Sequence, residues 1–184
     1  MTHTLIVTVG TTGDVVPYVA LGTGLRAAGH RVTVVTHPSL RHHVDAAGLG
    51  FAPLPVELTD GPAPLTSARL ARILAGRWLD IGRAVADAAT DADLIVTAAM
   101  GWIGYHVAQA RGIPSVGAFL QPLEPTAAFP PPLVTTRSLG GWGNRAAARW
   151  FRVLGQVPFA RPARFHPLVH HVDEPPVAGE LRWR

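Results

Sequence analysis

The sequence predicts an α/β fold built on a doubly wound parallel sheet, and three observations carry that reading. Short β-branched runs alternate with stretches of helical spacing, the strand-like runs lack the in–out alternation of half-exposed strands, and glycines punctuate the joins. The first run, Thr4-Leu-Ile-Val-Thr-Val9, stops at Gly10 and reads as a buried parallel strand. A helix follows, placing Val19, Ala20, Leu25 and Ala28 on one face, with Gly29 as its C-terminal cap. Arg31-Val-Thr-Val-Val-Thr36 is the second strand, residues 38–47 a helix ended by Gly48, and residues 51–56 a third strand bracketed by prolines. Beyond Asp60-Gly-Pro-Ala-Pro64, the residues Leu70, Ile73, Leu74, Trp78, Ile81 and Val85 recur at helical spacing as a core-facing stripe. Leu94-Ile-Val-Thr-Ala98 is the fourth strand, residues 102–110 a helix and residues 114–119 the fifth strand. Gln121-Pro-Leu-Glu-Pro125 and Phe129-Pro-Pro-Pro132 form an extended loop, because proline fixes its backbone angle and donates no hydrogen bond. Residues 139–154 make a last helix. Residues 1–150 thus constitute one domain, and residues 151–184, rich in Pro, Arg and His, an irregular tail.

Composition narrows the function. A chain of 184 residues buries roughly 70% of its unfolded surface, enough for a core without staples. The absence of cysteine excludes disulfides, thiolate metal sites and cysteine nucleophiles, and makes the cytoplasm the expected compartment. The apolar run at residues 4–9 has no basic segment before it and is too short for a signal core. The longest weakly polar stretch, residues 94–105, falls short of the roughly 20 residues that span a bilayer. All 16 basic residues are arginine, with 8 against 9 acids in residues 1–136 and 8 against 3 in residues 137–184. The basicity therefore belongs to the C-terminal part, and no basic stripe crosses the folded body as a nucleic-acid partner requires. His42-His43 and His170-His171 are adjacent pairs, not ligands one helical turn apart, so no metal is expected; His30 and His37 flank the second strand in structural roles.

In an open α/β sheet ligands sit beyond the carboxyl ends of the strands, which singles out Gly10-Thr-Thr-Gly13-Asp14. Two glycines permit a sharp turn and close approach, and the following helix offers unpaired N–H groups to an anion. The dinucleotide fingerprint is not met: Thr12 stands where its second glycine belongs, and Thr36-His37 where a ribose-binding acid follows the second strand. A P-loop lysine is absent from a lysine-free chain. Asp14 is placed as the helix N-cap. Pro17 then falls three residues into the helix and removes a donor that holds a capping oxygen, leaving the carboxylate freer.

Gly10-Thr-Thr-Gly-Asp-Val-Val-Pro-Tyr-Val-Ala-Leu-Gly22, Leu25-Arg-Ala-Ala-Gly-His30, Ala47-Gly-Leu-Gly-Phe51, Gly112-Ile-Pro114 and Gln121-Pro-Leu-Glu-Pro-Thr126 together resemble the N-terminal domain of GT-B glycosyltransferases. The nearest groups are the sterol glucosyltransferases and the glycopeptide-antibiotic glycosyltransferases, families 1 and 28. The resemblance, over roughly residues 4–150, implies two Rossmann-like domains facing across a cleft, acceptor on the first and nucleotide sugar mainly on the second. The second domain's signature, a His-x-Gly segment, a glycine-rich loop and an Asp-Gln pair, has no counterpart in these residues. By the same resemblance Asp14 is the general base; Gly10, Thr11, Thr12 and Gly13 line the cleft near the donor phosphates; Met100, Trp102, Gln121 and Pro122 contact the acceptor. Many relatives carry Ser-Arg in place of Thr11-Thr12. No metal or cofactor is implied, the nucleotide sugar being a co-substrate.

The expected function is inverting hexosyl transfer to a hydroxyl of a lipid, sterol or natural product, inactive without a donor-binding domain on another chain. A catalytically silent small-molecule binding module is the alternative. Under either reading, the tail of residues 151–184 is expected to be a remnant of truncation or frameshift. Expected partners are the acceptor, a separate donor-domain chain and further copies of this chain; peripheral membrane contact is compatible with the sequence.

Overall fold

The computed structural model describes residues 1–56, 76–99, 101–122, 124–132 and 135–156. Five strands, His3–Val7 (β1), Arg31–Thr36 (β2), Gly50–Pro53 (β3), Leu94–Thr97 (β4) and Ser115–Gly117 (β5), form one sheet in the order β3-β2-β1-β4-β5. Every pairing is parallel, with Ile6 of β1 opposite Val34 and Val96 of its two neighbours. The helices are α1 (Thr12–Ala27), α2 (Arg41–Ala46, entered through a 3-10 turn at Pro38–Leu40), α3 (Trp78–Ala88), α4 (Ile103–Arg111) and α5 (Gly140–Gln156).

All five residues of β1 are buried, which is why the run shows no alternation. Its side chains nonetheless divide by parity. Leu5 and Val7 pack with Val35 and Ile95 against Ile81 and Val85 of α3 and Ile103 and Val107 of α4. Ile6, with Val34 and Val96, faces the other way onto Val15, Tyr18 and Val19 of α1 and Val44 of α2. Each such fully buried aliphatic side chain contributes roughly 1.5–3 kcal/mol relative to exposure, so the two layers together fix the sheet.

The first helix differs from the sequence expectation. It starts at Thr12, and its buried face is Val15, Tyr18, Val19 and Gly22, while Ala20 and Ala28 are exposed. Gly22 explains the rotation: a β-carbon there would lie 2.7 Å from Leu49 Cδ1 and 3.2 Å from Val32 Cγ1, so the helix seats its smallest residue against the sheet. The expected cap at Gly29 is present. Gly29 takes φ +89, its N–H donates to Arg26 O and that of His30 to Leu25 O, the paired bonds of a Schellman motif. In the predicted stripe, Ile81 and Val85 are buried and Trp78 packs on the same cluster, whereas Leu70, Ile73 and Leu74 lie outside the described residues.

His106 on α4 gives the fold a pH dependence. Burial holds its imidazole below the ordinary value of 6.5. As pH falls, the unfolded chain takes up that proton first, so the contribution is complete above about pH 6.5 and is lost below it. Chemical denaturation should therefore show a midpoint that is flat above about pH 7 and falls below about pH 6.5, with His106→Gln flattening the decline.

Candidate functional site

The strand order reverses between β1 and β4, so the loops leaving their carboxyl ends open a crevice. Hydrogen bonds carry the ladder one residue past both strands: Thr8 N donates to Val35 O at 3.1 Å and Ala98 N to Val7 O at 3.0 Å. Gly101 sits so close to the Val7 carbonyl that no side chain fits between them, which brings the loop after β4 against the end of β1.

At the mouth of this crevice Gly10 turns the chain at φ +149, a conformation side chains rarely adopt. His37, 2% exposed at the end of β2, supports the turn from beneath. Its Nε2 lies 2.8 Å from Gly10 O and its Nδ1 2.6 Å from Ser39 Oγ. A carbonyl only accepts, so Nε2 carries the hydrogen and donates, and in the neutral ring Nδ1 accepts from the Ser39 hydroxyl. The structural role expected of His37 is thus that of a prop beneath the loop.

Asp14 is not the N-cap. Gly10 completes the turn, Thr11 takes the extended N-cap conformation, and Asp14 stands at the third helical position with its carboxylate folded back. Its Oδ2 accepts from Thr11 N at 2.8 Å and from Thr11 Oγ1 at 2.9 Å. Pro17 accordingly lies inside the helix, where its missing N–H deprives the Gly13 carbonyl, not the carboxylate, of a partner. Thr8, fully buried, donates its hydroxyl to the Asp14 carbonyl at 3.0 Å and fixes the residue's backbone. Among the described residues, both hydrogen bonds to the carboxylate end on Oδ2. Thr11, Thr12 and Gly13 are exposed around it, at the positive end of the helix dipole.

Tyr18, one turn beyond Asp14, joins this loop to the one after β5. Its hydroxyl donates to Ala118 O at 2.5 Å across 100 residues of sequence. Burial foremost, and then the negative charge of Asp14, push the phenol above its ordinary pKa, so it remains a donor throughout the physiological range. Ala118 leads into Phe119, Leu120, Gln121 and Pro122; Gln121 is half-buried and Pro122 exposed. Trp102, half-buried, precedes α4 at the same end of the sheet. Met100 lies outside the described residues. Tyr18→Phe should cost about 1 kcal/mol in urea denaturation and speed amide exchange around Ala118, since only the hydroxyl contact is removed.

Residues 4–130 match the glycosyltransferase family 28 N-terminal domain. The chain belongs to that family. The sterol 3-beta-glucosyltransferase of Debaryomyces hansenii is 33% identical over 134 residues, covering 68% of this chain and 8% of the relative; that of Candida albicans is 30% identical over 146 residues, covering 68% and 9%. The chain therefore spans less than a tenth of the length of these two relatives. Among solved structures, the calicheamicin glycosyltransferase superposes with TM-score 0.61 at 20% identity, over 95% of this chain and 44% of that one. The glycotransferase of kitacinnamycin does so with TM-score 0.60 at 19% identity, over 92% and 40%. At these identities the likeness is one of fold: the doubly wound parallel sheet is the Rossmann-like arrangement of an N-terminal GT-B domain. Among the described residues of this family 28 domain, no helix is long and apolar enough to cross a membrane.

Proposed function

We propose that this chain is the acceptor-binding half of an inverting hexosyltransferase, acting on a hydroxyl of a lipid, sterol or natural product, with Asp14 as general base. One observation carries the reading: a carboxylate at the topological switch point, fixed through Oδ2 by two Thr11 donors while no described group hydrogen-bonds Oδ1. That the relatives are sterol 3-beta-glucosyltransferases supports the substrate class.

In the proposed reaction Oδ1 takes the proton of the acceptor hydroxyl as its oxygen forms the bond to the anomeric carbon. The bond from that carbon to the donor diphosphate breaks on the opposite face, and the nucleoside diphosphate leaves with the electron pair, inverting the centre. Thr11, Thr12 and Gly13 present the helix N-terminus to the donor phosphates, and Trp102, Gln121 and Pro122 the acceptor side of the crevice. Met100, outside the described residues, is assigned to the acceptor side by family resemblance alone. In this reading the donor nucleotide is held chiefly by a second domain, so transfer by these 184 residues is expected only in the presence of such a domain.

The experiment is radiolabelled sugar transfer from a panel of nucleotide sugars to sterol and aglycone acceptors, with the chain alone and with a donor-binding domain added. Transfer that appears only on adding the domain is the expected result. Acceptor binding without transfer in any mixture would replace this reading with a silent binding module.

A further inference from the structure

The α5 helix carries a face that the crevice does not use. Trp142 is 86% exposed and Trp150 64% exposed, and the exposed Arg145 and Arg149 lie between them on the same side. At 1.5 Å per residue the two indoles stand about 12 Å apart along the axis. The opposite side is held firmly. Asn144 and Ala148 are buried, and Asn144 accepts from Leu139 N at 2.8 Å while donating to Ala127 O at 3.3 Å and Ser138 Oγ at 3.2 Å. Those three bonds fix the rotation of the helix, so the Trp and Arg side chains point outward by construction.

Charge decides what such a face suits. Between Glu124 and Asp173 the sequence has no acidic residue and six arginines, Arg137, Arg145, Arg149, Arg152, Arg161 and Arg164. None of the ion pairs among the described residues involves Arg145 or Arg149. Trp142, Arg145, Ala146, Arg149 and Trp150 line one shallow, partly open depression, so the aromatic and cationic side chains form a single contiguous patch. Tryptophan is amphipathic and settles at the boundary between headgroups and acyl chains, and arginine lays its apolar stem there while its head reaches phosphate.

We propose that the outer face of α5 docks on an anionic lipid surface, with Trp142 and Trp150 in the interfacial layer and Arg145 and Arg149 against the headgroup phosphates. A helix so placed lies in the plane of the membrane and holds the chain there reversibly.

The full chain is mixed with vesicles of phosphatidylcholine alone and of phosphatidylcholine with phosphatidylserine, and binding is read by co-sedimentation and by quenching of tryptophan emission with brominated lipid. Binding to the anionic vesicles, weakened by salt, is expected. Arg145→Gln with Arg149→Gln should weaken it about 30-fold, at about fivefold per arginine. Trp142→Ser with Trp150→Ser should weaken it on the order of tenfold or more and remove most of the quenching. These side chains are exposed, so circular dichroism and thermal melting of both variants should match the parent.

Failure of the parent to bind anionic vesicles overturns the proposal. So does a tryptophan variant that binds as well as the parent, which would assign the attraction to the remaining arginines. Concentration-dependent dimerisation abolished by the tryptophan changes, without vesicle binding, would make the face a contact between two copies instead. Vesicle binding is read without sugar transfer, so its loss leaves the assignment of Asp14 standing.

Discussion

Asp14→Asn should lower the turnover of the chain assembled with a donor-binding domain by about 10²–10⁴-fold, the range that a positioned general base supplies. The substitution isolates the proton transfer. An asparagine carbonyl oxygen still accepts from Thr11 N and Thr11 Oγ1, the two bonds that hold the carboxylate, so the loop keeps its shape. What is lost is the second oxygen's capacity to take a proton, together with a charge at the helix N-terminus. The loss of charge costs on the order of 0.3–1 kcal/mol of stability, far too little to unfold the domain. Acceptor affinity should be nearly unchanged, so the effect falls on kcat and not on KM. A variant that transfers sugar at the parental rate would remove Asp14 from the chemistry.

The two glycines of the same loop should respond in opposite ways to alanine. At Gly10 a β-carbon would lie 2.5 Å from Asp14 Oδ2 and 2.7 Å from its Cβ and Cγ, on a backbone at φ +149. Gly10→Ala must therefore distort the turn or expel the carboxylate. The strain alone is of order 1–3 kcal/mol, and the displaced Asp14 should reduce transfer about as severely as Asp14→Asn. At Gly13 the nearest atom to an added β-carbon is Thr11 Oγ1 at 3.7 Å, and the residue is already helical. Gly13→Ala should leave the unfolding free energy equal to or above the parent's, by up to about 1 kcal/mol, through the better helix propensity of alanine. Its methyl group would stand on the exposed end of α1 where the donor phosphates are proposed to approach, so KM for the nucleotide sugar should rise. Urea denaturation and donor saturation kinetics on the two variants read both effects; a Gly13→Ala chain with unaltered donor kinetics would place the phosphates elsewhere.

The local sequence determined the alternation of strands and helices, because burial on both faces of a sheet and on one face of a helix leaves a periodicity that can be read residue by residue. Unbroken runs such as Leu5-Ile-Val7, the glycine closing α1 and the prolines after β5 follow from backbone sterics and hydrophobic patterning alone. That Asp14 lies just beyond the carboxyl end of the first strand was legible for the same reason. Its place inside the first turn of α1 was not. Whether Thr11 or Asp14 caps the helix depends on where Gly10 completes its turn, a matter of two or three residues that local propensity does not resolve.

Two further contacts were invisible in the sequence. His37 reaches Gly10 across 27 residues, and Tyr18 reaches Ala118 across 100. Neither contact has a spacing to read, because a hydrogen bond between distant segments is set by how the strands are ordered in the sheet. The outward face of α5 has the same origin. The sequence supplies Trp142, Arg145, Arg149 and Trp150 at helical spacing, but only the seating of Asn144 against Ala127 and Ser138 decides that this side, and not the other, meets solvent.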